Sequence, residues 1–227
     1  MELEISNKDI FPEPIQELLK AFHCARFFDE GMMVGSWVMP IYQELFGIRY
    51  VLRTMDIDFA LQIITRNPGE PVNLEDILKG LGYVPILTAS GWQKFSRAGF
   101  TVEFIAHRKG RKDDVVSIKR WNVTAVPLPF LDILLSFPLG VNFNEFVITV
   151  PELEAFFLHK LISSQRRIQE TKHDKDLEQC SVLTSKLNKD KLRKVALSFR
   201  FSKKTIRSIL TSCEAIGFPP HTLGFLG

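Results

Sequence analysis

The chain is poor in the features that mark several large protein classes. It has three cysteines in 227 residues. Cys24, Cys180 and Cys213 lie far apart, which excludes a disulfide framework and a zinc-finger spacing and points to a reducing, intracellular setting. Apolar runs are short. Even the stretch from Pro127 to Val141 is broken by Pro, Asp and Gly before it reaches the length of a membrane span. The first residues, MELEISNKDIFPEP, carry acidic charge where a secretory leader would be basic and then apolar. The expected location is the cytoplasm, without membrane contact. Internal repeats and low-complexity tracts are absent. The charge bias is small, +3 with 24% charged residues, which admits an anionic ligand without requiring nucleic acid.

Apolar residues are plentiful at 45%, and Phe is used 19 times, so an ordinary folded domain with an aromatic-rich core is expected. The pattern divides the chain. Up to about Thr149 helical and extended signals alternate. Ile15, Leu18, Leu19, Phe22 and Ala25 recur at helical spacing, and Met32–Val34 reads as a short buried strand before Gly35-Ser36. Pro40 limits where the following helix, within Trp37–Phe46, can start. Ile48–Leu52 and Met55–Leu61 look extended. Asn73 caps a helix to Leu81, and Tyr83–Leu87, Trp92–Phe95 and Phe100–Ala106 follow at hairpin spacing. Ser117–Thr124 reads as extended, Phe130–Leu135 as a helical turn and Phe143–Val150 as a last strand. From Pro151, which suits a first helical position, four segments ending at Ile216 show helical periodicity alone. The expected class is α+β: a mixed-sheet core over residues 1–149, then a helical domain over 150–227.

The chemistry concentrates on one strand. Met55-Asp56-Ile57-Asp58-Phe59 alternates apolar and acidic residues, so Asp56 and Asp58 project from one face, their Cα atoms about 6.5–7 Å apart. Two carboxylates at about 4 Å repel by about 4 kcal/mol at an effective dielectric of 20. Such a pair persists when a cation compensates it, when one carboxyl is protonated, or when both are well solvated. Glu103 is a third acid framed by apolar neighbours, on a later strand whose Val102, Phe104 and Ala106 face the other way. Hard oxygen donors in this number suit Mg²⁺ or Mn²⁺, and paired ions bridged by carboxylates serve phosphoryl transfer. A solvated acidic edge strand is the plain alternative. Gly35-Ser36, between a strand and a helix, offers backbone N–H groups and a hydroxyl to a phosphate, and an ordinary turn reads the same way.

The order Val34-Gly35-Ser36, Asp56-Ile57-Asp58-Phe59, Val102-Glu103-Phe104-Ile105 resembles the signature of the DNA polymerase β-type nucleotidyltransferase superfamily. The glycine-to-aspartate gap is longer than the common pattern, which an insertion around Phe46–Tyr50 would explain. Arg53-Thr54-Met55-Asp56-Ile57-Asp58-Phe59 is similar to a variant in a bacterial branch related to abortive-infection and toxin–antitoxin nucleotidyltransferases. His159–Arg167 and Lys175–Gln179 resemble that branch's paired helices, although Lys172–Asp176 allows two registers.

The resemblance implies an enzyme that binds a nucleoside triphosphate and Mg²⁺ or Mn²⁺. Asp56, Asp58 and Glu103 would be its catalytic and metal-binding residues. Gly35, Ser36, Lys160, Arg167, Lys175 and Asp176 would bind the nucleotide. Lys160, Ser164 and Arg167 are expected on one helical face, with Phe157, Leu161 and Ile168 on the buried one; a solvated face is the alternative. His107 and His159 are read as structural or peripheral. Two basic clusters, Arg108–Lys112 and Lys186–Lys194 continuing to Arg200–Arg207, could contact an RNA or tRNA acceptor or merely face solvent. The acceptor stays open among RNA or protein in a toxin-like enzyme with an antitoxin partner and a small molecule of the antibiotic type. A non-catalytic nucleotide-binding module is the third reading.

Overall fold

The computed structural model describes residues 3–63, 69–89, 91–108, 115–143 and 145–225. Its frame is a mixed sheet read outward from two neighbouring strands, β3 (Asp56–Leu61) and β6 (Phe100–His107), which run parallel. β2 (Gly31–Val34) lies antiparallel on the far side of β3. The other edge of β6 is shared. Its first residues pair antiparallel with β5 (Gln93–Arg97), which pairs in turn with β4 (Val84–Leu87). Its last residues pair parallel with β8 (Val123–Leu128), which carries the short β7 (Val116–Ile118). The β5–β6 hairpin closes through Ala98 and Gly99, both with positive φ, the backbone of a type I′ turn.

Alternation works as expected on these strands. Ile57, Phe59, Val102, Phe104 and Phe95 are buried on one face, while Asp58 and Glu103 share the other. The buried face meets α1 (Glu13–Cys24), whose Phe22 ring lies 4.9 Å from Phe59 and 6.2 Å from Phe104. Phe27 and Phe28 complete the aromatic cluster expected from the high Phe content. Asn73 caps α3 (Leu74–Gly80) by accepting from Asp76 N–H, as the sequence predicts. α2 (Met39–Phe46) starts beside Pro40, also as predicted.

Three segments differ from expectation. Ile48–Leu52 forms no strand. The stretch 117–124 contains a turn rather than one extended segment, because Asn122 takes positive φ between β7 and β8. The last strand is a hairpin of β9 (Pro138–Phe143) and β10 (Phe146–Pro151), with β1 (Leu3–Ile5) added to β9 in parallel. Pro151 ends that hairpin instead of opening a helix.

The helices α5 (Leu153–Ser164), α6 (Glu170–Leu183), α7 (Lys189–Leu197) and α8 (Lys203–Ala215) follow, and α4 (Leu131–Leu135) precedes the hairpin. α5 packs against α4, α6, α7 and α8, and every residue in it except Ser163 is buried. Its burial includes Glu154, His159 and Lys160, so no solvated polar face exists on this helix. Ile168, expected in the core, is fully exposed because α5 stops at Ser164. Among the described residues no helix is long and apolar enough to cross a membrane.

Candidate active site

Register brings the acidic residues together. Asp58 and Glu103 are direct partners on neighbouring parallel strands, and Asp56 lies two residues back on the same face, opposite Thr101. Val34 pairs with Asp58 across β2, which places the Gly35-Ser36 turn at the carboxylate. Gly35 has φ +71°, and a Cβ there would lie 2.3 Å from Asp58 Oδ2. Both the left-handed backbone and the close approach require glycine. Asp58 is half-buried, and Asp56 at the start of β3 is exposed.

Burial first, and then the facing charge of Glu103, raise the Asp58 carboxyl to about 6; Asp56 adds to this while Lys160 and Arg167 oppose it. Glu103 has a partner that the linear motif does not announce. Lys94, on β5, donates to Glu103 Oε1 and also lies 5.5 Å from the centre of the Trp92 ring. Lys94 sits one residue beyond the Phe95–Val102 pair, and hairpin register could have identified it. Among the described residues no three His, Cys, Asp or Glu side chains converge on one point.

Helices α5 and α6 close the other side. Lys160 is 4% exposed and Asp176 is fully buried. Asp176 accepts from Lys160 Nζ, from Arg167 Nε at 2.8 Å and from Ser163 Oγ at 3.3 Å. Its carboxyl is held down at about 2: desolvation pushes it up, but the charges and hydrogen bonds of Lys160 and Arg167 outweigh that. Lys160 is therefore committed to Asp176 and reaches Asp58 through its field. Arg167, beyond the end of α5, is a third exposed. Lys175 is half-buried one residue before Asp176; desolvation and then Lys160 lower its pKa, and Asp58 is among the charges acting on it. With Arg53, Thr171, Lys172, Asp174 and Glu178 it lines a cleft of about 540 Å³. Gln179, one turn further along α6, is fully buried and donates to Ser36 Oγ at 2.9 Å and to the Tyr50 hydroxyl at 3.1 Å. The Ser36 hydroxyl is thus anchored to α6, and Gln179 Oε1 has no hydrogen-bond partner among the described residues.

His159 is buried at the α5 side of a separate cavity, and burial, then Lys160, push its pKa down to about 3. His107 faces Asp132 at 3.4 Å. Arg108 is placed beside this cavity; Lys109, Gly110, Arg111 and Lys112 lie outside the described residues.

A strand-borne carboxylate pair, a glycine turn against one of them and a helix pair carrying Lys160, Arg167 and Lys175 thus lie together. Residues 13–200 match a family model described as "Nucleotidyltransferase". The chain belongs to this nucleotidyltransferase family and is an enzyme of that class. Among solved structures, it is similar to an antigenic nucleotidyltransferase-like protein from Paracoccidioides brasiliensis, at 11% identity and TM-score 0.42, covering 88% of this chain and 87% of that one. Comparison with curated proteins gives no match.

Proposed function

We propose that the protein moves a nucleoside monophosphate from a nucleoside triphosphate to an acceptor hydroxyl in a reaction that depends on a divalent metal. The observation that carries this reading is the pairing of Asp58 with Glu103 in register, with Gly35 touching the Asp58 carboxylate.

The donor set suits Mg²⁺ or Mn²⁺ chemically: three carboxylates on one sheet face, one of them raised to about 6 by burial and by the facing charge of Glu103. Asp56 and Asp58 would hold the ions, and Glu103 would share one with its oxygen not used by Lys94. When bound, the ions neutralise the triphosphate and polarise the α-phosphorus. Gly35 N–H and the Ser36 hydroxyl hold the terminal phosphates, with Ser36 fixed by Gln179. Lys175, and Arg167 beside it, neutralise phosphate charge from the α6 side. Lys160 and Asp176 act by positioning: Asp176 fixes Arg167, and Lys160 balances Asp176. Glu103 accepts the acceptor hydroxyl's proton. The acceptor oxygen bonds to the α-phosphorus as the bond to the bridging oxygen breaks, and pyrophosphate leaves. Catalysis of this kind rests on orientation and electrostatics.

The finer placement in the branch related to abortive-infection and toxin–antitoxin enzymes, with an antitoxin as partner, is supported by the Arg53–Phe59 string and the sequences of α5 and α6. Incubation with each α-labelled triphosphate, Mg²⁺ or Mn²⁺ and total cell RNA tests the reading. Label on RNA or protein supports the toxin-like form, and label on a small alcohol or amine supports the antibiotic-type form. Tight binding without transfer would make the chain a nucleotide-binding module. Asp58→Ala abolishes transfer; wild-type activity in that variant refutes the assignment.

A further inference from the structure

The Asp58 site leaves a second cationic region unused. Two cavities adjoin beyond Arg167, and they share Arg108, Pro129 and Phe130. The first, about 240 Å³, is lined also by His159, Ser163, Arg166 and Arg167. The second, about 290 Å³, is lined also by His107, Asp132, Phe199, Arg200 and Phe201. Each alone is smaller than the usual ligand pocket of about 300–1,000 Å³, and the two together fall within that range. An occupant of ligand size would have to span both.

The lining alternates cations with half-exposed aromatic rings. The Arg166 guanidinium lies 4.7 Å from the centre of the Phe130 ring. Phe130 and Phe201 have ring centres 6.3 Å apart, and Phe201 and Phe199 6.1 Å. Phe199-Arg200-Phe201 is continuous in the chain, whereas Phe130 and Arg166 reach it from elsewhere, so only the fold completes the interleaving. Arg166 and Arg200 form no ion pair among the described residues, and Arg166 is close enough to Arg108 to feel its charge. The acid in the second cavity, Asp132, faces His107. Phe130 itself has φ +63°, a left-handed backbone that is rare for a bulky side chain and that holds its ring at the junction of the two cavities. Arginines that track phosphates, alternating with aromatic faces that stack bases, form a surface for unpaired nucleotides.

We propose that the two cavities form one groove that binds a single-stranded segment of nucleic acid, with Arg166 and Arg200 on its phosphates and Phe130 and Phe201 on its bases. Arg167 borders this groove and also bonds Asp176, so the groove leads to the Asp58 site. The segment is then the acceptor, a role that rests on the transfer reaction proposed above; the binding itself does not.

Fluorescence anisotropy with a labelled single-stranded RNA of about 12 nucleotides, at salt from about 50 to 200 mM, tests the groove. The wild-type chain binds the strand, and log affinity falls linearly with log salt. Arg166→Glu with Arg200→Glu weakens binding at least tenfold and flattens the slope by about 1.4, at about 0.7 for each phosphate no longer neutralised. Phe201→Leu weakens binding and leaves the slope unchanged. A blunt RNA duplex binds less tightly than the single strand. The proposal is overturned if the wild type binds no single strand, if the charge reversals bind as the wild type does, or if the duplex binds as well. A parallel titration with a fluorescent triphosphate and Mg²⁺ separates the two readings. Groove failure with intact triphosphate binding leaves the transferase reading standing, and loss of triphosphate binding with intact strand binding removes that reading alone.

Discussion

Asp176→Asn offers the sharpest test of the helical side of the site, because its cost is set by burial. Asp176 is fully buried and Lys160 is 4% exposed. The substitution keeps the volume but removes the charge that balances Lys160, which cannot reach water. Arg167, a third exposed, can turn to solvent. The loss therefore falls mainly on one stranded ammonium, and removing one partner of a buried pair costs about 3–5 kcal/mol. For a chain of this size each kcal/mol lowers Tm by about 2–4 °C, so Asp176→Asn should melt about 6–20 °C below wild type. Adding Lys160→Met removes the stranded charge, and most of the stability should return, since well-packed apolar replacements of buried pairs are close to neutral. Urea unfolding of the wild type, both single variants and the double variant completes the cycle. Coupling of at least about 2 kcal/mol is expected. A cost below about 1 kcal/mol for Asp176→Asn, or additive single effects, would refute the claim that Lys160 is held as a buried partner rather than presented to ligand.

Gly35→Ala places a Cβ 2.3 Å from Asp58 Oδ2 in a left-handed backbone; about 1–2 kcal/mol of strain and a displaced carboxylate should cut transfer at least a hundredfold with an unchanged far-UV spectrum. Asp58→Asn should stabilise the metal-free protein at pH 8 by about 1–3 kcal/mol, because a carboxyl raised to about 6 carries a penalty when ionised, and should abolish both activity and Mg²⁺-dependent stabilisation. Acid should destabilise the fold in two steps. Between pH 6.5 and about 3 the unfolded chain protonates His159, which the fold keeps neutral, so stability falls as pH drops; below about 4 Asp176 adds to the loss as its carboxylate titrates. Asp58 works the other way between about 4 and 6, where the folded state takes up the proton, so Asp58→Asn steepens the acid loss. In Asp58→Asn, where that opposing uptake is gone, flat melting temperatures from pH 7 to 4 would contradict the His159 assignment. Lys175→Ala should raise KM for the triphosphate with modest loss of stability, in contrast to Lys160→Ala, which should unfold readily.

What the sequence determined by itself is local. Alternation along Met55–Phe59 and Thr101–Ala106 put Asp58 and Glu103 on polar faces. Asn73 announced a helix start through a side chain that bonds within three residues, and Gly35 announced a turn. These signals are legible because their physics spans a few residues. The short strands β1 and β9 were not legible, because each owes its form to a partner elsewhere. Tertiary structure alone decided which polar groups meet. It paired Asp58 with Glu103 and carried Gln179 across 143 positions to Ser36. It also reversed the reading of α5. Helical spacing placed Lys160 on an open cationic face, but the surrounding helices bury it, and a charge deprived of water takes the nearest buried carboxylate, Asp176. Lys175 stays half-exposed, and Phe130 and Arg166 gather with Phe199 and Phe201 from remote parts of the chain. Periodicity records which side of an element avoids water; only packing determines which charges remain free to bind.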